Sequence, residues 1–82
     1  VSSAPQRLAA CLLRLSATQG TRLELPGTQR QVAAHLGIRA ETLSRLLSDW
    51  QSRRWVQGER RHWTVLNPAA LERLTGALAR TF

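Results

Sequence analysis

A mainly helical fold with one small β-hairpin is the class predicted by this 82-residue sequence, and three observations predict it. Apolar residues recur at helical spacing in four stretches. Two of those stretches, within residues 28–54, meet at a short corner marked by Gly37. Directly after them, from Trp55 to Leu66, β-branched and aromatic residues surround a glycine-containing turn, the pattern of two antiparallel strands. Helix, corner, helix and hairpin in that order make a winged helix-turn-helix, with a three-helix core, a short antiparallel sheet and a C-terminal helix. Residues 1–82 form one domain. A chain this short buries only about 60% of its unfolded surface, and its 43% hydrophobic content argues against disorder.

Val1 to Pro5 is small and polar, and reads as a frayed terminus or the tail of a linker. From Gln6 to about Ala17, Leu8, Leu12 and Leu15 fall on one line, flanked by Ala9 and Leu13, with Arg7 and Arg14 outside it. Cys11 shares that apolar face and reads as a buried thiol; one cysteine leaves no internal disulfide and no cysteine-ligated cluster. Residues 18–21 break the pattern, and Arg22 to Leu25 alternates as a short, half-buried strand ended by Pro26-Gly27.

Thr28 and Gln31 have the reciprocal spacing of a capping box, which starts the first helix of the motif. Val32 and Leu36 form its apolar face, with small Ala33 beside them, and Gly37 supplies the left-handed cap that ends it. Ile38 plugs the corner. The next helix, about 40–53, buries Leu43, Leu46, Leu47 and Trp50 at i, i+3, i+4 and i+7. After it, residues 55–57 and 62–66 read as strands, with the turn at 58–61. Asn67 caps the last helix with Pro68 in its first position; Leu71, Leu74 and Leu78 form its stripe, and fraying is expected after about Ala77.

Opposite the leucines of the second motif helix lie Glu41, Ser44 and Arg45, at i, i+3 and i+4. These side chains suit the edges of DNA bases. Arginine forks onto both guanine acceptors, a carboxylate accepts from the cytosine amino group, and a hydroxyl serves either way. All three fall in the first two turns, the part of a recognition helix that enters the major groove. The plainer alternative is a solvated face carrying an i,i+4 Glu–Arg pair. The charge balance favours a polyanionic partner: twelve arginines and no lysine against five acids, net +7, with a pI near 11.9.

The stretch ELPGTQRQVAAHLGIRAETLSRLLSDWQSRRWV resembles the C-terminal winged-helix domain of the Crp/Fnr family of bacterial transcription regulators. The likeness runs from about Leu8 through Leu66-Asn67-Pro68. Its most specific piece, Glu41-Thr42-Leu43-Ser44-Arg45, is similar to the E-x-x-S-R of the Fnr branch, whose members read TTGAT-like half-sites with those three residues. The cyclic-AMP receptor branch has an arginine before the glutamate, where this chain has Ala40. A second departure is Arg39, at the position before the helix that is usually Ser or Thr. The resemblance implies a homodimeric regulator that binds double-stranded DNA. It also implies a region around residues 18–21 near a surface that touches RNA polymerase in activators. Because the sequence begins with Val and has no sensory module, it reads as a piece of a longer regulator, monomeric by itself.

Phosphate contacts follow from position. Arg30 sits near the N-terminus of the first motif helix with its exposed N–H groups, and Thr28 caps that helix; Arg39 and Thr42 stand likewise at the second. Arg60 and Arg61 lie at the hairpin tip, where they are expected to reach phosphates along the adjacent minor groove; a charged, solvated turn is the plainer alternative. A cation at a helix N-terminus is disfavoured by about 0.3–1 kcal/mol, and a phosphate beside Arg39 removes that cost. Trp55 and Trp63 are expected to pack the hairpin onto the helices rather than stack on bases. His35 and His62 have no metal-ligand spacing with the scattered acids, Ser44 has no base, and no glycine-rich phosphate loop is present. The expectation is a non-enzyme without cofactor or metal. With no bilayer-length apolar run and no secretory signal, a cytoplasmic, membrane-free protein is expected. A winged helix that docks a protein instead of DNA is the competing reading.

Overall fold

In the computed structural model, residues 3–79 are described, with the side chains of 76–79 excepted. Four helices and a three-stranded antiparallel sheet follow the order α1 (Ala4–Gln19), β1 (Arg22–Glu24), α2 (Gln29–Leu36), α3 (Ala40–Ser52), β2 (Val56–Glu59), β3 (His62–Val65) and α4 (Pro68–Ala79). The sheet order is β1-β3-β2, so the strand before the motif joins the hairpin after it. Its register pairs Leu23 with Trp63, and Val56 with Val65.

Leu8, Leu12, Leu25, Leu43, Val56 and Leu71 are the largest fully buried side chains. Together with Val32 and Ala33 of α2, they join α1, the motif helices, the inner sheet face and α4 into one core, which among the described residues contains no buried polar or charged residue. Leu46, Ile38 and Leu15 are only half buried at its margin. Trp63 is buried, and half-buried Trp55 meets Trp50 with ring centroids 6.1 Å apart. Both therefore pack the hairpin to the core.

Several boundaries differ from the sequence reading. Helix α1 starts at Ala4, not Gln6, because Ser3 and Gln6 form a capping box and Pro5 occupies the first turn. Ala4 and Pro5 thus belong to the helix, while Val1 and Ser2 lie outside the described residues. Strand β1 stops at Glu24. The hairpin turn is tighter than expected, with β2 reaching Glu59 and only Arg60-Arg61 between the strands. Leu66 is an exposed bend residue rather than strand, since its N–H turns to the Trp55 carbonyl. Helix α3 ends at Ser52 and α4 continues to Ala79. The side chain of Leu78 lies outside the described residues.

The corner of the motif closes through Gly37 at φ 73°. Its N–H reaches the Ala34 carbonyl, and the Ile38 N–H reaches that of Ala33 at 2.9 Å, a Schellman closure. Arg7 of α1 adds its Nη1–H to the Leu36 carbonyl at 3.1 Å. At the other end of α1, the Gln19 side-chain amide accepts from the Glu24 N–H and donates to the Glu24 carbonyl, at 2.9 and 3.1 Å, and so occupies the open edge of β1. In the hairpin, a Cβ at Gly58 would collide with the His62 carbonyl oxygen and come within 2.8 Å of the Trp63 Cα, so only glycine fits.

Arg7→Ala should lower stability by about 1 kcal/mol by leaving the Leu36 carbonyl with one partner fewer. Thermal melting should show a midpoint lower by roughly 4–8 °C per kcal/mol in a domain of this size. Cys11 gives a pH prediction. Burial pushes its thiol above the ordinary value, outweighing the downward pull of Arg14. A folded pKa above the unfolded one means that the thiol's contribution is complete below the unfolded pKa and is lost as pH rises through the folded one. Stability measured by denaturant should therefore fall above about pH 8.5, and this part of the fall should be missing in Cys11→Ala.

Candidate nucleic-acid interface

Helix α3 carries the candidate reading face. Leu43, Leu47 and Trp50 bury one side, which turns Glu41, Ser44 and Arg45 to solvent, where all three are exposed. Thr42 is half buried. Among the described residues the ion pairs are Arg53–Asp49 and Arg61–Glu24, each at 3.0 Å, so the i,i+4 Glu41–Arg45 pair of the plainer alternative does not form. Carboxylate and guanidinium both stay uncommitted on one exposed helical face.

The two helix N-termini of the motif differ. At α2, Thr28 Oγ1 accepts from the Gln31 N–H at 3.1 Å, and Gln31 Oε1 accepts from the Thr28 N–H at 2.9 Å. This capping box satisfies the N3 donor and leaves the first two N–H groups, next to exposed Arg30, without a side-chain acceptor. At α3 the N-cap is Arg39, whose side chain makes no capping bond. The first turn of α3 therefore directs uncapped N–H groups outward beside an exposed guanidinium, a cluster of donors suited to an anion.

The hairpin tip separates its two arginines. Arg60 is exposed and in no ion pair among the described residues, with a left-handed backbone at φ 55°. Arg61 folds back on the sheet. It pairs with the Glu24 carboxylate and directs Nε and Nη2 to the Leu25 carbonyl at 3.4 Å. The phosphate role expected of Arg61 thus meets a competing one, bracing β1 against the tip. With both partners about half exposed, such a pair contributes only about 0–1 kcal/mol.

One groove, of about 270 Å³, joins α3 to the wing. Gln29, Ser44, Leu47, Ser48, Gln51, Glu59, Arg60 and Trp63 line it. It brings together two predicted residues, Ser44 and Arg60; Glu41, Arg45, Arg30 and Arg39 lie outside its lining. Sequence reading missed Gln29, Ser48 and Gln51. Ser48 and Gln51 continue the face of Ser44 at i+4 and i+7, a signal available from helical spacing. Gln29 meets the tip across 31 positions and left no local signal. Among the described residues no three His, Cys, Asp or Glu side chains converge as metal ligands, and no helix is long and apolar enough to cross a membrane.

The order of helices, the closed corner and the wing define a winged helix-turn-helix, and comparison with known proteins carries the assignment further. Residues 6–74 match the Crp-like helix-turn-helix domain, and the chain belongs to that family. No curated protein sequence matches it. Among solved structures, it is similar to the CO-dependent transcription factor CooA from Carboxydothermus hydrogenoformans in its imidazole-bound form (TM-score 0.80, 25% identity, 89% of this chain and 37% of that one). It is also similar to FixK2 from Bradyrhizobium japonicum (TM-score 0.80, 27% identity, 88% and 38%). A third is a protein from Eubacterium rectale assigned to the Crp/Fnr family of transcriptional regulators (TM-score 0.78, 31% identity, 90% and 34%). The chain thus spans little more than a third of the length of these proteins.

Arg39→Ser should supply the missing cap and raise stability by about 1 kcal/mol. Thermal melting should show a higher midpoint, and an unchanged or lower one would mean that the first turn of α3 is already satisfied.

Proposed function

We propose that this domain binds double-stranded DNA sequence-specifically, as the output domain of a dimeric bacterial transcription regulator. The observation that carries the proposal is the exposed, unpaired Glu41–Ser44–Arg45 face on the second helix of a Crp-like motif. Helix α3 enters the major groove, where Arg45 takes the two acceptors of a guanine, Glu41 accepts from a cytosine amino group, and Ser44 completes the reading. The E-x-x-S-R order supports a TTGAT-like half-site of the Fnr kind.

Phosphates anchor the helix on both sides of the reading face. Arg39 and Thr42, with the uncapped N–H groups of α3, hold one; Arg30 and Thr28, with the open N–H groups of α2, hold another. Arg60 holds a third from the wing. Arg61 reaches a phosphate only by releasing Glu24, so it ranks below Arg60. In a homodimer, two such domains read inverted half-sites with centres roughly 34 Å apart, and linkage raises affinity by making the second contact intramolecular. In the resembled family the loop around residues 18–21 lies near a surface that touches RNA polymerase in activators, and by position alone we assign that role to the exposed corner here.

The test is a duplex titration at several salt concentrations. With roughly six phosphates engaged, log K should fall with log salt at a slope near −5. Arg45→Ala should cost about 1–3 kcal/mol on a TTGAT-type site and relax the preference for one guanine. If Arg45→Ala weakens all sequences equally, α3 does not read bases through that residue. A wild-type slope shallower than about −2 would favour protein docking instead.

A further inference from the structure

The wing ends in a two-residue loop, Arg60-Arg61, between the paired residues Glu59 and His62. Such loops favour turns whose first central residue has positive φ, where glycine, asparagine or aspartate is the unstrained choice. Here that residue is Arg60, at φ 55°, a conformation in which a side chain crowds the following carbonyl. Its own carbonyl oxygen is held from two directions. The indole Nε1–H of buried Trp63 donates to it at 2.9 Å, and the side-chain Nε2–H of Gln29 donates to it at 3.1 Å. Trp63 belongs to the wing itself, whereas Gln29 is the first residue of α2. Among the described residues, the Gln29 bond is the one side-chain hydrogen bond from the helix-turn-helix to the wing tip. Gln29 and Arg60 also line the same groove as Ser44 of the reading face.

We propose that Gln29 is a positioning residue for DNA binding: its amide ties the wing tip to α2 and so presents the Arg60 guanidinium to the backbone of the duplex that α3 reads. Glycine would suit this turn better than arginine, so what the tip gains from residue 60 is its side chain, and a side chain on a loose hairpin would hold a phosphate poorly. The tie removes that looseness at the residue that carries the charge. This inference rests on the DNA-binding reading above and adds a residue that the reading does not use.

Four proteins test it: wild type, Gln29→Met, Arg60→Gly and the double variant. Methionine keeps the length of the side chain and loses the donor; glycine removes the guanidinium and suits the turn. Each is titrated with a duplex carrying two TTGAT-type half-sites in inverted repeat, and each is digested briefly with trypsin in the absence of DNA. Gln29→Met should weaken duplex binding about two- to tenfold, the effect of one neutral hydrogen bond. Arg60→Gly should weaken it further and make the salt slope shallower by about one. The double variant should bind no more weakly than Arg60→Gly alone, because Gln29 acts through Arg60. In free protein, trypsin should cut the hairpin of Gln29→Met faster than that of wild type, with the melting midpoint little changed. Should Gln29→Met fail to fold, Gln29→Glu, of equal size and without the N–H donor, takes its place with the same expected protease result. Losses that add in the double variant would overturn the proposal, since Gln29 would then meet DNA by itself. So would unchanged binding or unchanged cleavage in the single variant. A wild type that binds no duplex DNA overturns the functional reading, and this inference with it, whereas a wild type that binds beside an unaffected Gln29→Met overturns this inference alone.

Discussion

At Gly37 the backbone turns left-handed, and the placement of α3 with its candidate base contacts against α2 depends on that one residue. The Ala33 and Ala34 carbonyls, which a helix end would leave without partners, are taken by the N–H groups of Ile38 and Gly37. The chain can then restart as α3 after only two residues, Ile38 and Arg39. Ala33 is almost fully buried, so nothing larger stands between the two helices. Arg7 reaches the Leu36 carbonyl from α1, which fastens the outside of the corner to a third helix. With the corner fixed, burial of Leu43, Leu47 and Trp50 leaves α3 a single rotation about its axis, and that rotation turns Glu41, Ser44 and Arg45 outward.

Arginine does three different jobs here, which net charge alone does not separate. Arg7 serves as a helix cap, and Arg53 lies against Trp55, 5.4 Å from the ring centre, while pairing with Asp49. Arg61 braces the sheet. Arg30, Arg39, Arg45 and Arg60 are in none of these contacts, and these four are spread over α2, α3 and the wing. The arginines are therefore partly structural, and those free to meet a polyanion are fewer than the twelve in the sequence.

What could be read from sequence was what is encoded locally. The Thr28–Gln31 box, the Gly37 cap, Asn67 before Pro68 and, apart from half-buried Leu46, the leucine stripe of α3 each lie within one or two turns of chain, and each stands in the structure as the spacing implied. The Ser3–Gln6 box is equally local and was legible too, but the small polar residues around it read as a loose end. The tie between Gln29 and Arg60, the pull of Arg61 toward Glu24 and the pairing of β1 with β3 are different in kind. Each joins residues more than thirty positions apart, and only the closed core decides which polar groups meet. The same holds for the missing Glu41–Arg45 pair: helical spacing allows it, and side-chain rotamers decide whether it forms.

Glu24 is a mechanical junction. Its backbone N–H and carbonyl are gripped by the Gln19 amide at the end of α1, and its carboxylate is gripped by Arg61 at the base of the wing tip. The next carbonyl, that of Leu25, also takes Arg61, while Leu25 N–H goes to the Arg61 carbonyl. Helix α1 and the wing therefore meet on β1 with no slack linker between them: five residues separate Gln19 from Glu24, and that one strand residue is held from both sides.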